Sequence, residues 1–133
     1  MAASKEIMMS YFKKHHFEEN LVRLVSAKDP VRGSRSRILH AHGVIAKSIE
    51  DLSLMVSEIE PDGKDIPILL RQYLKLGGKL LGFSRDRKFS NVLDSLVLVN
   101  LAEVDSRILQ KYMGTEGTER LLAFHRGQLR ASA

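Results

Sequence analysis

Residues 66–78 read Ile66-Pro67-Ile68-Leu69-Leu70-Arg71-Gln72-Tyr73-Leu74-Lys75-Leu76-Gly77-Gly78, and Lys79-Leu80-Leu81-Gly82-Phe83 follows them directly. After Asp86-Arg87-Lys88-Phe89 comes Asp94-Ser95-Leu96-Val97-Leu98-Val99-Asn100-Leu101. A helix, a glycine stop and two strands are legible here. Pro67 suits the first residue of a helix, where its missing N–H costs nothing. Leu69, Tyr73 and Leu76 then line one face, with Leu70 and Leu74 beside it. Gly77-Gly78 supplies the stop, because glycine reaches the left-handed region without a Cβ clash. Lys79 to Phe83 reads as a short strand. Val92 to Leu101 reads as a better one, and Leu96-Val97-Leu98-Val99 is apolar on both faces, as in a strand buried inside a sheet. Two strands alone are marginal, so Val92–Leu101 is expected either to expose an edge or to pair with another copy or another chain.

Working outward toward the N-terminus, Ser4 is placed to cap a first helix, with Glu6 early in it where the dipole favours an acid. Ile7, Met8, Tyr11, Phe12 and His15 recur at helical spacing and predict one apolar stripe. A second short helical run covers Glu18 to Ala27. Lys28-Asp29-Pro30 and Gly33-Ser34 break it, and Arg32-Gly33-Ser34-Arg35-Ser36-Arg37 reads as a solvated basic loop. From Ile38 to Ala46 the periodicity is weak and Gly43 interrupts it. Ser48-Ile49-Glu50-Asp51 has capping-box spacing, with Asp in place of Glu or Gln. Ile49, Leu52, Val56 and Ile59 follow at helical period until Pro61-Asp62-Gly63 turns the chain. Toward the C-terminus, Asp105-Ser106 caps a helix reaching about Tyr112, Gly114 ends it, and Glu116 to Arg126 is a last helix. The expected fold is α+β and mostly helical, with about five or six helices and two strands or a short β-hairpin. It divides into a helical segment, 1–60, and a second segment, 61–133.

The chain has 133 residues, 44% of them apolar and 28% charged, within the ordinary range of one globular domain. Cysteine is absent, which excludes disulfides and thiolate metal sites. No apolar run approaches the roughly 20 residues needed to span a bilayer. The first residues, Met1-Ala2-Ala3-Ser4-Lys5-Glu6, lack the apolar core of a secretory signal, so a cytoplasmic protein is expected. A net charge of +5 favours anionic partners.

Over Lys64 to Phe124 the order of motifs resembles the C-terminal end of the bacterial hemolysin-like N-acyltransferases of the GNAT superfamily. It is similar also to the last part of bacterial lysophospholipid acyltransferases that carry such a half. In that family a proline opens a helix ending near Tyr-Leu-x-Leu-Gly, then come a glycine-containing strand, Asp-x-x-Phe and an Asp-x-Leu strand. The matching positions are Pro67, Tyr73 to Gly77, Gly82, Asp86, Phe89, Asp94 and Leu96. Tyr112-Met113-Gly114, Glu116-Gly117 and Leu122-Ala123-Phe124-His125 resemble the family's tail. Ser4 to Phe17 looks similar to the helix after the fifth strand of the GNAT core. One departure is visible: the family often reads Asp-Pro-Asp-Phe where this chain has Asp86-Arg87-Lys88-Phe89, a basic turn for a rigid acidic one.

The resemblance implies transfer of a fatty acyl group from a thioester carrier, acyl-CoA or acyl carrier protein, to a lysolipid or amino-acid lipid. It also implies that the donor loop and catalytic strands lie upstream of the matched segment. No glycine-bearing loop leads from a strand into a helix here, as phosphate binding on helix amides would require. Nor does any histidine have the His-x-x-x-x-Asp partner of the glycerolipid enzymes: the fifth residues on are Asn20, Leu21, Ile45, Lys47 and Arg130. The chain is therefore expected to be a C-terminal portion, inactive alone, with no catalytic residue and no cofactor of its own. Tyr73, Lys79, Arg85, Asp86, Phe89 and Asp94 are the candidate substrate-binding residues. Against that, Asp86 suits a turn, Asp94 a cap or pair where the strand begins, and Tyr73 and Phe89 a core. No metal site is expected, since His40 and His42 point to opposite sides of a helix. Partners on this reading are a lysolipid or anionic membrane surface at the inner face of the membrane, the remainder of the acyltransferase, or a second copy through Val92–Leu101.

The alternative is a small basic module for anionic lipid or nucleic acid, built on Arg71, Lys75, Lys79, Arg85, Arg87, Lys88 and the Arg32–Arg37 loop. Nucleic acid is disfavoured, because the aromatics sit on helical stripes and are not interleaved with the basic residues as stacking platforms.

Overall fold

In the computed structural model, residues 3–31 and 36–132 are described, and they form an α+β fold. Six helices and one two-stranded antiparallel sheet are present among them. Of the basic loop expected over Arg32–Arg37, residues 32–35 lie outside the described residues, and Ser36 and Arg37 belong not to a loop but to the start of a helix.

Helix α1 (Ala3–His15) carries the central stripe: Ile7, Tyr11 and Phe12 are each at most 3% exposed. The helix begins at Ala3, so Ser4 is not its cap. Ser4 lies on the buried stripe one turn before Ile7, and a buried hydroxyl needs a partner. It donates to the Glu60 carboxylate, 56 residues away. His15, expected on the stripe, is exposed at the end of the helix, and His16 is instead half-buried against Tyr11. The cause is the next residue: Phe17 bridges Leu80, which pulls His16 inward.

Helix α2 (Glu19–Val22) is one turn capped by Glu18, much shorter than the run to Ala27 that periodicity suggests. Both ends of this segment are pinned to the hairpin. Leu80 N–H donates to His16 O at 2.7 Å and Glu18 N–H to Leu80 O at 3.1 Å; Arg85 N–H donates to Asp29 O at 3.0 Å. The segment thus has to travel along the strand.

Helix α3 (Arg37–Ile45) forms where the pattern is weak, capped by Ser36, whose side chain accepts from Leu39 N–H. Gly43 interrupts the stripe because it is the crossing point: α1 backbone lies against it. Helix α4 (Ile49–Ile59) is capped by Ser48, which accepts from Asp51 N–H at 3.1 Å. The Asp51 carboxylate reaches back to Lys47 N–H at 3.1 Å, one residue before the cap. Leu52 and Val56 of α4 join Ile7, Tyr11, Phe12, Ala46, Ile66 and Leu80 in one core, drawn from both segments of the chain.

Helix α5 (Ile68–Lys75) starts one residue later than expected, with Pro67 as its cap residue. Leu70 and Leu74 pack on the core, while Leu69 is 63% and Tyr73 37% exposed. The packed face is thus the neighbour of the one predicted. The glycine stop is as expected: Gly77, at φ 76°, and Gly78 donate to Leu74 O at 3.0 Å and Tyr73 O at 2.9 Å, a Schellman pair.

Strand β1 (Lys79–Asp86) outlasts its predicted end at Phe83, and β2 (Val92–Leu98) stops three residues short of Leu101. They pair antiparallel from Lys79↔Leu98 to Asp86↔Val92, with an irregularity between Leu80 and Gly82. Within β2 only Leu93 and Val97 are even partly buried, and Val97 packs on the core. Val92, Leu96 and Leu98 remain 46%, 49% and 39% exposed, so the expected burial on both faces is not met. With one neighbour and one covered face, the strand cannot bury its whole apolar surface.

A 3₁₀ turn (Leu101–Glu103) leads to α6 (Ser106–Ser132), which breaks at Gly114 (φ 75°, ψ 170°) into two helices as expected, the second running on to Ser132 and not ending at Arg126. Asp105 caps its start, accepting from Arg107 N–H at 2.8 Å. None of the helices is long and apolar enough to cross a membrane among the described residues.

Candidate functional site

A groove of about 430 Å³ opens between α1, α5 and the hairpin. α1 contributes Lys5, Met8 and Phe12; α5 contributes Leu69, Leu70 and Tyr73 behind Pro67. The third wall is Phe83 from β1 with Leu93 and Val97 from β2. These residues meet for local reasons. Met8 and Phe12 are one turn apart on α1, Leu69 and Tyr73 one turn apart on α5, and Leu93 and Val97 share the inner face of β2. Phe83 is held by stacking on Phe17, with ring centres 5.7 Å apart and planes at 30°.

The lining is almost entirely apolar. Its two charges, Lys5 and Asp94, have opposite signs, and neither forms an ion pair or side-chain hydrogen bond among the described residues. Such a groove takes an apolar tail along its walls and leaves polar contact to its rim. On the other face of the hairpin a second depression of about 490 Å³ runs between Val25–Ala27 and Leu96.

The six candidate residues separate. Tyr73 and Asp94 both line the apolar groove. Arg85, Asp86 and Asp94 border a polar depression at the outer end of the hairpin. Asp86 forms the turn: its carboxylate accepts from Lys88 N–H at 2.9 Å and Phe89 N–H at 3.3 Å. Asp94 lies within β2 opposite Ser84, not where the strand begins. Lys79 stands apart, 4.0 Å from Glu18. Phe89 is at the hairpin tip and 70% exposed, so it belongs neither to the core nor to the groove.

The basic cluster is largely neutralised by acids that the linear sequence does not place beside it. Asp29 takes both Arg87, at 2.5 Å, and Arg85, at 3.9 Å. Arg71 is tied to Asp65 at 2.8 Å and to the Ser53 hydroxyl at 2.7 Å. Burial works against charge on Asp65, yet the Ser53, Ile66 N–H and Arg71 hydrogen bonds together hold its carboxyl below the usual range. Lys75 and Lys88 are left without an acidic partner among the described residues.

His40 and His42 each have a polar partner within the protein. His40 Nδ1 is 3.1 Å from Ser10 Oγ, and His42 Nδ1 is 2.7 Å from Ile38 O. No group of three or more His, Asp or Glu is placed to hold a metal among the described residues. His16 is the perturbed one: burial, then His15, then Lys79 push its pKa down.

Sequence reasoning places Met8 and Phe12 in the core and passes over Lys5 and Leu93. Their part in the groove comes from the crossing of α1 with the hairpin, for which no local signal exists. None of the family models, curated proteins and solved structures compared with this chain matches it.

Proposed function

We propose that this chain is the C-terminal portion of a bacterial acyltransferase that moves a fatty acyl group from a thioester carrier to a lysolipid or amino-acid lipid. The observation that carries the reading is the apolar groove between α1, α5 and the hairpin, with Tyr73 on its wall and Asp94 at its rim. In this role the groove holds the apolar tail of the acceptor or of the acyl group. Asp94, free of internal partners, faces the polar end, and Lys5 offers a charge to a phosphate or carboxylate. On this reading the donor, acyl-CoA or acyl carrier protein, is bound by the remainder of the enzyme. Its place on this reading is the cytoplasm, at the inner face of the membrane. The pairing of Arg71, Arg85 and Arg87 with acids supports a lipid groove over a basic surface for nucleic acid.

The test is binding of a fluorescent fatty acid to the purified chain, displaced by an unlabelled lysophospholipid. Leu69 is 63% exposed, so Leu69→Asp leaves the core intact and puts a charge in the groove. It weakens binding about tenfold or more, since burying one such side chain is worth about 1.5–3 kcal/mol. An unchanged affinity removes the groove from the proposal. The chain alone leaves acyl thioesters and lysolipids unreacted, and measurable transfer by homogeneous protein sinks the claim that it is incomplete.

A further inference from the structure

The two edges of the hairpin differ. The outer edge of β1 is shielded by residues 16–18 and 29–30, which exchange backbone hydrogen bonds with Leu80 and Arg85. Nothing among the described residues pairs with the outer edge of β2. Exposed edges are commonly blunted by lysine, proline or a bulge, because their free N–H and C=O groups recruit other strands. Val92–Leu98 has no lysine and no proline, one charge at Asp94, and three exposed apolar residues.

The strand is also complementary to itself. Turned antiparallel about Ser95, it sets Val92 against Leu98 of a second copy, Leu93 against Val97, Asp94 against Leu96 and Ser95 against Ser95. Directly opposed aliphatic pairs of this kind are what stabilise an antiparallel ladder. The same two-fold carries the hairpin tip of one copy past the far end of the other copy's β2, beside its 3₁₀ turn. The tip bears Lys88 and the turn bears Glu103, neither with an ionic partner among the described residues. The two ends of the edge are therefore opposite in charge and meet twice in a symmetric pair.

We propose that two copies of this chain join through β2 in antiparallel register centred on Ser95, making one four-stranded sheet. This pairing needs no acyl ligand, so loss of the lipid reading leaves it standing.

Sedimentation equilibrium of the full chain reports a species of twice the 15.0 kDa protomer. A monomer at every concentration up to the sub-millimolar range overturns the proposal and leaves the edge for a strand of a different protein. The register has its own test, because the chain contains no cysteine. Directly opposed Cα atoms in an antiparallel pair lie about 4.5–5.5 Å apart, within disulfide reach. Ser95→Cys therefore crosslinks to itself under mild oxidation. Leu93→Cys and Leu98→Cys, which face Val97 and Val92 of the second copy, crosslink at least about tenfold more slowly, as spacing dictates. Equal rates at the three positions refute the two-fold at Ser95 even if a dimer exists. Lys88→Glu or Glu103→Lys alone weakens the dimer about fivefold, through two equivalent exposed contacts, and the double exchange restores it. Additive losses in the double variant count against the register.

Discussion

A Cβ placed on Gly43 would stand 2.5 Å from the Ile7 carbonyl oxygen and 2.6 Å from the Ser10 Cβ. Neither atom can step aside without moving α1, the helix on which the core is built. An exposed helical glycine gains about 1 kcal/mol on becoming alanine. Here overpacking dominates, and Gly43→Ala destabilises by about 2 kcal/mol in urea unfolding. A stabilised variant would mean that α1 and α3 do not meet at Gly43. His16 carries a prediction of a different kind. Its pKa is lowered in the folded protein, first by burial and then by His15 and Lys79. The unfolded chain, titrating at the ordinary histidine value, therefore binds the proton more readily. The His16 contribution is fully present above the unfolded pKa and is lost as pH falls through the folded one. The urea midpoint thus drops as pH falls below the ordinary histidine value, and His16→Gln flattens that part of the profile. An equal drop in the variant would assign the acid sensitivity to other groups.

At the scale of elements, the signals that could be read from the sequence are those whose cause is local. Gly77 stops α5 because a left-handed residue is needed there, and Ser48 caps α4 because its hydroxyl reaches Asp51 N–H three residues on. Gly77→Ala leaves open space around the new Cβ but keeps φ at 76°, so backbone strain alone costs about 1 kcal/mol. Gly82→Ala, with open space and no positive φ, stays within about 0.5 kcal/mol of the parent. If the two variants have the same stability, the Schellman stop is not what ends the helix. The parts that escaped the sequence have non-local causes. α3 was hidden because Gly43 serves a neighbouring helix. α2 is cut short because residues on both sides of it are tied to β1. β2 reads as a strand for the middle of a sheet, since an apolar run carries no information about how many neighbours it will find. The candidate site shows the same division. Tyr73 and Asp94 stood out in the motif and line the groove, whereas Lys5 and Leu93 become its walls only once α1 crosses the hairpin. Arg85 and Arg87 looked like a free basic patch because Asp29, more than fifty residues earlier, could not be placed beside them.

Over the whole molecule, burial is unevenly distributed, and that sets how it opens. One core joins α1, α4, Ile66 and Leu80. Among the described residues beyond 100 the buried set is small, Val104, Leu109 and Thr118, and Tyr112 and Phe124 are 73% and 66% exposed. Thr118 is occupied with its own helix, donating to Gly114 O at 2.8 Å across the break. α6 rests mainly on the 3₁₀ turn before it. A segment with so few buried apolar contacts opens at a free energy well below the global value. Amide hydrogen exchange is then slowest in α1 and α4, and residues 106–132 exchange at least about 100-fold faster. Leu52, wholly buried in the main core, separates the two units. Leu52→Ala leaves a cavity and lowers protection of α1 and α4 by about 3 kcal/mol, the usual scale for such a truncation. The exchange of residues 106–132 is unmoved by it, because those amides open without the core. Were Leu52→Ala to accelerate both regions equally, the chain would unfold as a single cooperative unit, and α6 would owe its order to contacts with the main core.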